Sequence, residues 1–155
     1  MLTLEKYSFG VGDRFGHQAR AQLRAFELLA ESGVDVVPVW NKSNREHTFV
    51  GSHPRSVRAA AQEAITERGW KKSWYVDADH IQTSTVEPFL ECSNFFTIDV
   101  ASSIGQPAAP ADVAAFVARH PELTGAVAVS GLEHSLEVSA EEVQRIARQY
   151  LLAVQ

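Results

Sequence analysis

Residues 36–40 read VVPVW, and a polar loop and then an apolar helical stripe follow them. Together these segments indicate the fold class. The apolar run predicts a β-strand. A helix is predicted next by apolar residues at the i, i+3, i+4, i+7 and i+8 spacing, namely Val57, Ala60, Ala61, Ala64 and Ile65. Pro54 suits the first turn of that helix. This pair makes one βα unit.

The same alternation extends in both directions from residues 36–65. Residues 6–10 predict an earlier strand, and a helix ending at Gly33 follows it, with a stripe formed by Ala19, Leu23, Phe26 and Ala30. Residues 74–76 and 95–98 predict two later strands. Ser84 and Glu87 predict a capping box for a short helix between them. Strands alternating with helices indicate an α/β fold with parallel strands.

The last third of the chain has a looser pattern. A short helix around residues 113–117 and a hairpin pairing residues 125–129 with 136–138 are predicted. Ser139 and Glu142 predict a capping box for a final helix. We expect residues 1–155 to be a single domain, with residues 101–138 as a small inserted helix and hairpin segment.

Composition and charge narrow the function classes. The net charge of -5 argues against nucleic acid or an anionic membrane as the main partner. No apolar run approaches the ~20 residues that span a bilayer. The only cysteine, Cys92, fits a reducing compartment, so we expect a cytoplasmic protein. This composition and charge are compatible with a small-molecule substrate.

Polar residues gather directly after each predicted strand, and they are Asp13, Arg14, Asn41, Lys42, Asn44, Arg45, Asp77, Asp79, His80 and Asp99. Ligands bind at the C-terminal ends of the strands in parallel α/β proteins, because the loops converge there. The alternative for any one residue is a solvated loop. The joint pattern favours a site.

Residues 74–80 read WYVDADH, an apolar strand that runs into two carboxylates and an imidazole. These donors suit Zn, Mn, Co or Ni, and an unligated carboxylate could act as a general base. Asp77 and Asp79 point the same way if the strand continues, whereas His80 points oppositely unless the chain turns. Helix capping is the structural alternative for this motif.

Basic residues near the same strand ends offer an anion site. Arg14, Lys42 and Arg45 could hold a carboxylate, or could pair with neighbouring aspartates. His17, His47 and His53 could each support a site residue by donating a hydrogen bond, but we interpret them as solvated loop histidines. Trp40, Phe95 and Phe96 are assigned to the core because they extend strands.

Three segments resemble the tagaturonate/fructuronate epimerase family, and they read KYSFGVGDRF at residues 6–15, VWNKSNREHT at 39–48 and VDADH at 76–80. The similarity continues through FFTIDV at residues 95–100, in the same order. The resemblance covers most of the chain.

The resemblance implies metal-dependent C4 epimerisation of tagaturonate and fructuronate on a TIM-type barrel. It makes Asp79 the proton acceptor and His80 a metal ligand, with a divalent cation (Zn, Mn, Co or Ni) as cofactor. The substrate-binding residues predicted beside them are Arg14, Asn41, Lys42 and Arg45.

The departure from the family is one of extent. Four βα units cannot close an eight-stranded barrel, which takes ~250 residues, and family members carry further βα units with more ligands and a proton donor. We therefore expect a partial TIM-type (β/α) barrel that forms homo-oligomers through exposed edges and is inactive in isolation.

Two alternatives stand beside this interpretation. Asp77 and Asp79 could form the metal-diphosphate motif of a nucleotide-sugar transferase. A non-catalytic half-barrel that serves as an interaction module is the other.

Overall fold

The computed structural model describes residues 4–155 and divides the chain into two compact units, with the boundary between Asp99 and Val100. The first unit is a four-stranded parallel sheet with flanking helices, in the order β1-β2-β3-β4. The predicted α/β class with parallel strands is confirmed. None of the helices in residues 4–155 is long and apolar enough to cross a bilayer.

The elements of the first unit follow one another as β1 (Ser8–Gly12), α1 (Ala19–Glu31), β2 (Val37–Ser43), α2 (Asn44–Val50), α3 (Arg55–Arg68), β3 (Tyr75–Ile81) and β4 (Phe95–Ile98). A single 3-10 turn, Glu87–Phe89, lies between β3 and β4. The four predicted strands of this sheet are present close to their predicted positions, but β2 and β3 extend three and five residues beyond their predicted ends. Both extensions carry polar residues that sequence patterns assigned to loops.

One face of this sheet packs against α1 and α3, and we call it the helix face. Its core contains Leu23 from α1, Trp40 from β2, Ala61 from α3 and Val76 from β3. Leu23 and Ala61 are completely buried. The predicted apolar stripes of both helices are confirmed, because the residues they bury are those at helical spacing.

The other face of the sheet carries Asp77 and Asp79, and we call it the carboxylate face. Side chains alternate between faces along a strand. Val37, Val39 and Tyr75 therefore share the carboxylate face, where they form a small apolar cluster with Phe95. The apolar part of this face lies before the C-terminal ends of the strands, and the polar part lies at them.

Three local predictions are corrected by the structure. Residues 44–50 form helix α2 and not a polar loop. Ser84 and Glu87 form no capping box, since only a 3-10 turn follows and the Thr85 hydroxyl accepts the Gln82 backbone amide at 3.0 Å. Phe96 is exposed and is not a core residue.

The second unit, Val100–Gln155, contains α4 (Pro110–Arg119), the antiparallel pair β5 (Gly125–Val127) and β6 (Leu136–Val138), and α5 (Ala140–Val154). The predicted hairpin and final helix are confirmed. Helices α4 and α5 pack through Val113 and Ala147.

The N-terminus of α5 corrects one further detail. Ser139 caps it by accepting the Glu142 amide at 3.1 Å, as predicted. The Glu142 side chain pairs with Arg145 instead of completing a capping box.

Candidate functional site

The C-terminal ends of β2 and β3 bring polar side chains together on the carboxylate face. The parallel register places Asn41 beside Asp77 and Ser43 beside Asp79. Each pair lies on adjacent strands with side chains on the same face, so four polar residues form a compact patch at this edge of the sheet.

A β-bulge shapes the end of β3. Ala78 is paired with Phe96, but the next pairing along the ladder is Ile81 with Ile98, so β3 contains one extra residue. His80 lies within this irregular stretch and adopts a φ of 52°, the left-handed region that few residues other than glycine occupy. Bulges and such backbone outliers re-aim side chains next to functional sites.

The bulge brings the side chains of Asp79 and His80 together. His80 Nδ1 donates a hydrogen bond to Asp79 Oδ1 over 2.8 Å, since an ionised carboxylate can only accept. This bond leaves His80 Nε2 and the second oxygen of Asp79 available, and the His80 side chain is 67% exposed. A carboxylate that orients an imidazole in this way is a common support for a metal-binding histidine.

Asp77, two residues earlier on the same face, has a different environment. It is 5% exposed, and its two oxygens accept hydrogen bonds from the backbone amide and the hydroxyl of Thr97, at 3.0 and 2.8 Å. Burial raises the pKa of Asp77, and the charge of Asp79 adds to that, while the Thr97 bonds oppose it. Asp77 thus joins β3 to β4 through both of its oxygens.

Arg14 reaches the same edge of the sheet from the loop after β1. Its Nε lies 3.4 Å from Glu46 Oε1, and its guanidinium lies 5.7 Å from the centre of the exposed Phe49 ring. Glu46 is held in turn by a capping box with Ser43 at the start of α2. Burial alone would raise the pKa of Glu46, but hydrogen bonds from Ser43 and Arg14 lower it.

Arg45 is exposed on the first turn of α2. Within residues 4–155 no ion pair engages its guanidinium. Arg14 is thus paired with Glu46, whereas Arg45 is exposed to solvent.

Lys42 is set apart from the other predicted site residues. It lies on the helix face beside Ala78, it is 2% exposed, and its Nζ donates to Ser52 Oγ at 2.8 Å. Burial lowers the pKa of Lys42, although Glu46 and Asp13 act in the opposite direction.

His47 was interpreted as a solvated histidine, and this is wrong. It is 3% exposed, its Nδ1 lies 2.9 Å from Ser52 Oγ, and its ring packs edge-on against Phe89. Burial and the nearby charge of Lys42 lower the pKa of His47 to about 4. Ser52 thus links Lys42 and His47 into a buried group that we call the helix-face trio.

Metal-ligand chemistry is present here only in part. Within residues 4–155, no three His, Cys, Asp or Glu side chains come together as a metal-binding group. His80 Nε2 and the free oxygen of Asp79 are suitable donors, but two donors fall short of the three protein ligands that catalytic zinc sites use. Within residues 4–155, Asp79 and His80 are therefore at most part of a metal site.

Two contributors to this region were missed from the sequence. Glu46 had a signal, because Ser43 and Glu46 show the Ser-x-x-Glu spacing of a capping box. Thr97 had none, since its role depends on the pairing of β3 with β4.

Comparison with known proteins adds a family and a fold. The family model described as UxaE: tagaturonate epimerase matches residues 1–152. No curated protein matches the chain. The native crystal structure of fructuronate-tagaturonate epimerase UxaE from Cohnella laeviribosi is similar, with a TM-score of 0.74 and 20% sequence identity. A complex of that enzyme with two glycerol molecules gives a TM-score of 0.74 and 19% identity.

The matches to the solved structures cover nearly all of this chain but only part of theirs. Each solved structure is matched over 96% of this chain but over only 32% of its own chain. This chain therefore spans about a third of the length of those structures. At such identity the structural likeness shows the fold alone.

Proposed function

Because the chain belongs to the UxaE tagaturonate epimerase family, we propose that it is part of an enzyme that interconverts tagaturonate and fructuronate by inverting C4. The observation that carries the proposal is the Asp79–His80 pair at the bulged end of β3. It lies where parallel α/β enzymes place their reactive groups.

We propose further that the four-stranded sheet is one portion of a TIM-type (β/α) barrel. Its strands are parallel and adjacent in chain order, and helices α1 and α3 cover one of its faces. Both features are those of barrel strands, whose other face points inward. The outer strands β1 and β4 leave edges that another segment or another copy of the chain could pair with.

Asp79 is the proton acceptor in this proposal. One of its oxygens holds His80, and the other is free to take a proton. C4 lies one carbon beyond the carbon next to the ketone, so deprotonation beside the carbonyl cannot invert it. Removal of the C4 hydroxyl proton by Asp79, with cleavage of the C3–C4 bond, gives an aldehyde at C4 and an enediolate on the ketone fragment. Bond formation on the opposite aldehyde face, with return of the proton, gives the epimer.

The remaining residues of the site bind and orient the substrate. Arg14 and Arg45 are suited to the substrate carboxylate, because guanidinium groups match its planar geometry. Asn41 can bond a hydroxyl group from the carboxylate face. Lys42 is removed from the proposed set of direct contacts, since its ammonium is buried against Ser52.

A divalent cation, one of Zn, Mn, Co or Ni, is the proposed cofactor, with His80 Nε2 as one ligand. When bound, such a cation supplies Lewis-acid stabilisation of negative oxygen charge. The other ligands come from outside this chain in our proposal. His80→Ala should lower the metal content of the complete enzyme, measured after dialysis against Mn²⁺ or Zn²⁺, whereas His17→Ala, an exposed control, should not. Equal metal content in both variants would contradict the assignment.

Self-association is proposed through the sheet edges, where Phe9 of β1 and Ile98 of β4 are exposed. Light scattering should give a mass above that of the monomer, and a monomer at high concentration would oppose this. A reducing, cytoplasmic setting is proposed from the buried free thiol of Cys92.

The transferase alternative loses support from Asp77. A metal-diphosphate motif needs both carboxylates to be available, but Asp77 is buried and spends both oxygens on Thr97. No observation favours that alternative over the epimerase.

The direct test is an epimerase assay with tagaturonate and added divalent metal. We expect the 155-residue chain to be inactive, because in our proposal further metal ligands and a proton donor come from outside it. We expect the complete enzyme, of which we propose it is a part, to produce fructuronate. Activity of the chain alone would overturn the incomplete-site proposal, and a complete enzyme that converts neither keto-acid would overturn the function.

A further inference from the structure

Two glycines on β1 lie against the side chain of Asn41. Gly10 and Gly12 are on the carboxylate face, and Gly12 is directly paired with Asn41. A methyl group built on Gly12 would lie 2.9 Å from Asn41 Oδ1, and one built on Gly10 would lie 3.1 Å from Asn41 Nδ2. Both distances are shorter than ordinary van der Waals contact between carbon and a polar atom.

These two glycines differ from the others in the chain. Every other glycine has a positive φ, and a methyl group there would meet no atom within 4 Å. Those positions use the backbone freedom of glycine. Gly10 and Gly12 have no positive φ, so what they provide is space for the Asn41 amide.

The contact partners on either side of Asn41 are fixed. Gln22 of α1 donates from Nε2 to the carbonyl oxygen of Gly12 at 3.1 Å, which holds the end of β1. On the other flank, Asn41 is paired with Asp77, and Thr97 holds Asp77. Because the atom that a methyl group on residue 12 would meet is the end of a short side chain, the Asn41 amide would be displaced before either strand.

The orientation of the amide has a chemical consequence. Gly12 is two residues nearer than Gly10 to the C-terminal ends of the strands. Asn41 Oδ1, which lies against Gly12, therefore faces those strand ends, and Nδ2, which lies against Gly10, faces the interior of the sheet. A carbonyl oxygen at that edge accepts a hydrogen bond from a hydroxyl group.

We infer that Gly12, with Gly10, is a positioning residue that holds the Asn41 amide so that its oxygen meets a hydroxyl group of a polyhydroxy-acid substrate. This inference rests on the proposed function. It predicts that Gly12→Ala acts on substrate binding through Asn41, while the fold adjusts by rotation of one short side chain.

The first measurement is kinetic and uses the complete enzyme with tagaturonate. Gly12→Ala should raise KM about tenfold, with a smaller change in kcat and an unchanged unfolding midpoint. In an Asn41→Ala background, Gly12→Ala should add no further change in KM. Ser8→Ala, on the same strand and face but away from Asn41, is the matched control. An equal effect of Gly12→Ala with and without Asn41 would overturn the inference.

The second measurement needs no substrate and so separates this inference from the proposed function. In the 155-residue chain, the side-chain amide resonances of Asn41 in a ¹⁵N–¹H spectrum should shift in Gly12→Ala and stay in place in Ser8→Ala. Gly10→Ala should shift them less, and it serves as well if Gly12→Ala does not fold. Unmoved Asn41 resonances would overturn the positioning role. A shift accompanied by no turnover of tagaturonate in the wild-type complete enzyme would instead refute the function.

Discussion

The two faces of the sheet use polar residues in opposite ways at the ends of the same strands. Asn41 and Lys42 are neighbours in the chain, yet Asn41 lies on the carboxylate face, and Lys42 is buried on the helix face with Ser52 and His47. On the carboxylate face, Asp79 and His80 keep donor and acceptor atoms free at the edge. Strand alternation therefore divides the polar residues at the strand ends into two groups with different surroundings.

Lys42 and His47 are buried on the helix face, whereas the carboxylate face combines the buried Asp77 with the more exposed pair Asp79 and His80. Within the helix-face trio, burial lowers the pKa values of both basic side chains, because it disfavours their charged forms. We expect changes there to act on stability, and changes at the bulged end of β3 to act on catalysis.

The largest expected effect on stability comes from His47 and acid. Its folded pKa is about 4, below the ordinary 6.5, so the unfolded chain binds a proton first as the pH falls. The contribution of His47 to stability should therefore be lost between pH 6.5 and 4, at a cost of about 3 kcal/mol. Urea unfolding at several pH values measures this, and His47→Gln should flatten the curve whereas His17→Gln should not. An identical pH dependence in wild type and His47→Gln would contradict the claim that burial of His47 on the helix face makes stability depend on pH.

Asp77 gives the next largest effect on stability, and we expect it to differ in this from Asp79 on the same face. Asp77→Ala leaves the Thr97 amide and hydroxyl without their acceptor, so it should cost about 2 kcal/mol of unfolding free energy. Asp79→Ala should cost less than about 1 kcal/mol, since it removes only the partly exposed pair with His80. Both values come from urea unfolding at neutral pH. Equal costs would remove the distinction between the middle of β3 and its bulged end.

Lys42→Met tests whether the helix face contributes to substrate binding. Replacing a buried ammonium by an apolar side chain of similar length should change the unfolding free energy by within about 1 kcal/mol, with either sign. The KM of the complete enzyme for tagaturonate should change less than about twofold, because Lys42 donates to Ser52. A large rise in KM with normal stability would return Lys42 to the substrate site.

The Arg14–Glu46 ion pair should give the smallest effect. Glu46→Gln weakens a partly exposed contact, so the cost should be below about 0.5 kcal/mol and should shrink further in high salt. Thermal unfolding at low and high ionic strength measures it, with Glu63→Gln, which loses an exposed contact to Arg20, as the control. A cost that does not respond to salt would show that Glu46 acts mainly through its capping box with Ser43.

Sequence patterns predicted the parallel sheet because apolar periodicity reports which face of an element is buried. They placed the stripe of α1 correctly, since Leu23 and Phe26 are buried at helical spacing. They ended β3 too early, because polar residues such as Asp77 resemble a loop until the hydrogen bonds from a neighbouring strand are known.

The candidate site was predicted only in outline. The sequence left open how Asp79 and His80 could act together, and the answer is a bulge whose cause is the pairing of β3 with β4. Lys42 and His47 are bonded to Ser52, which follows helix α2, and His47 packs against Phe89, more than forty residues later in the chain. Local patterns do not report contacts of that kind.

The most direct test of the division between the faces is the kcat of Asp79→Asn in the complete enzyme, measured with tagaturonate beside Lys42→Met. Asparagine keeps the size of Asp79 but cannot take up the substrate proton. We predict that Asp79→Asn loses at least about 100-fold in kcat while Lys42→Met stays near wild type. An Asp79→Asn enzyme with a kcat within a few-fold of wild type would contradict the assignment of the chemistry to the bulged end of β3.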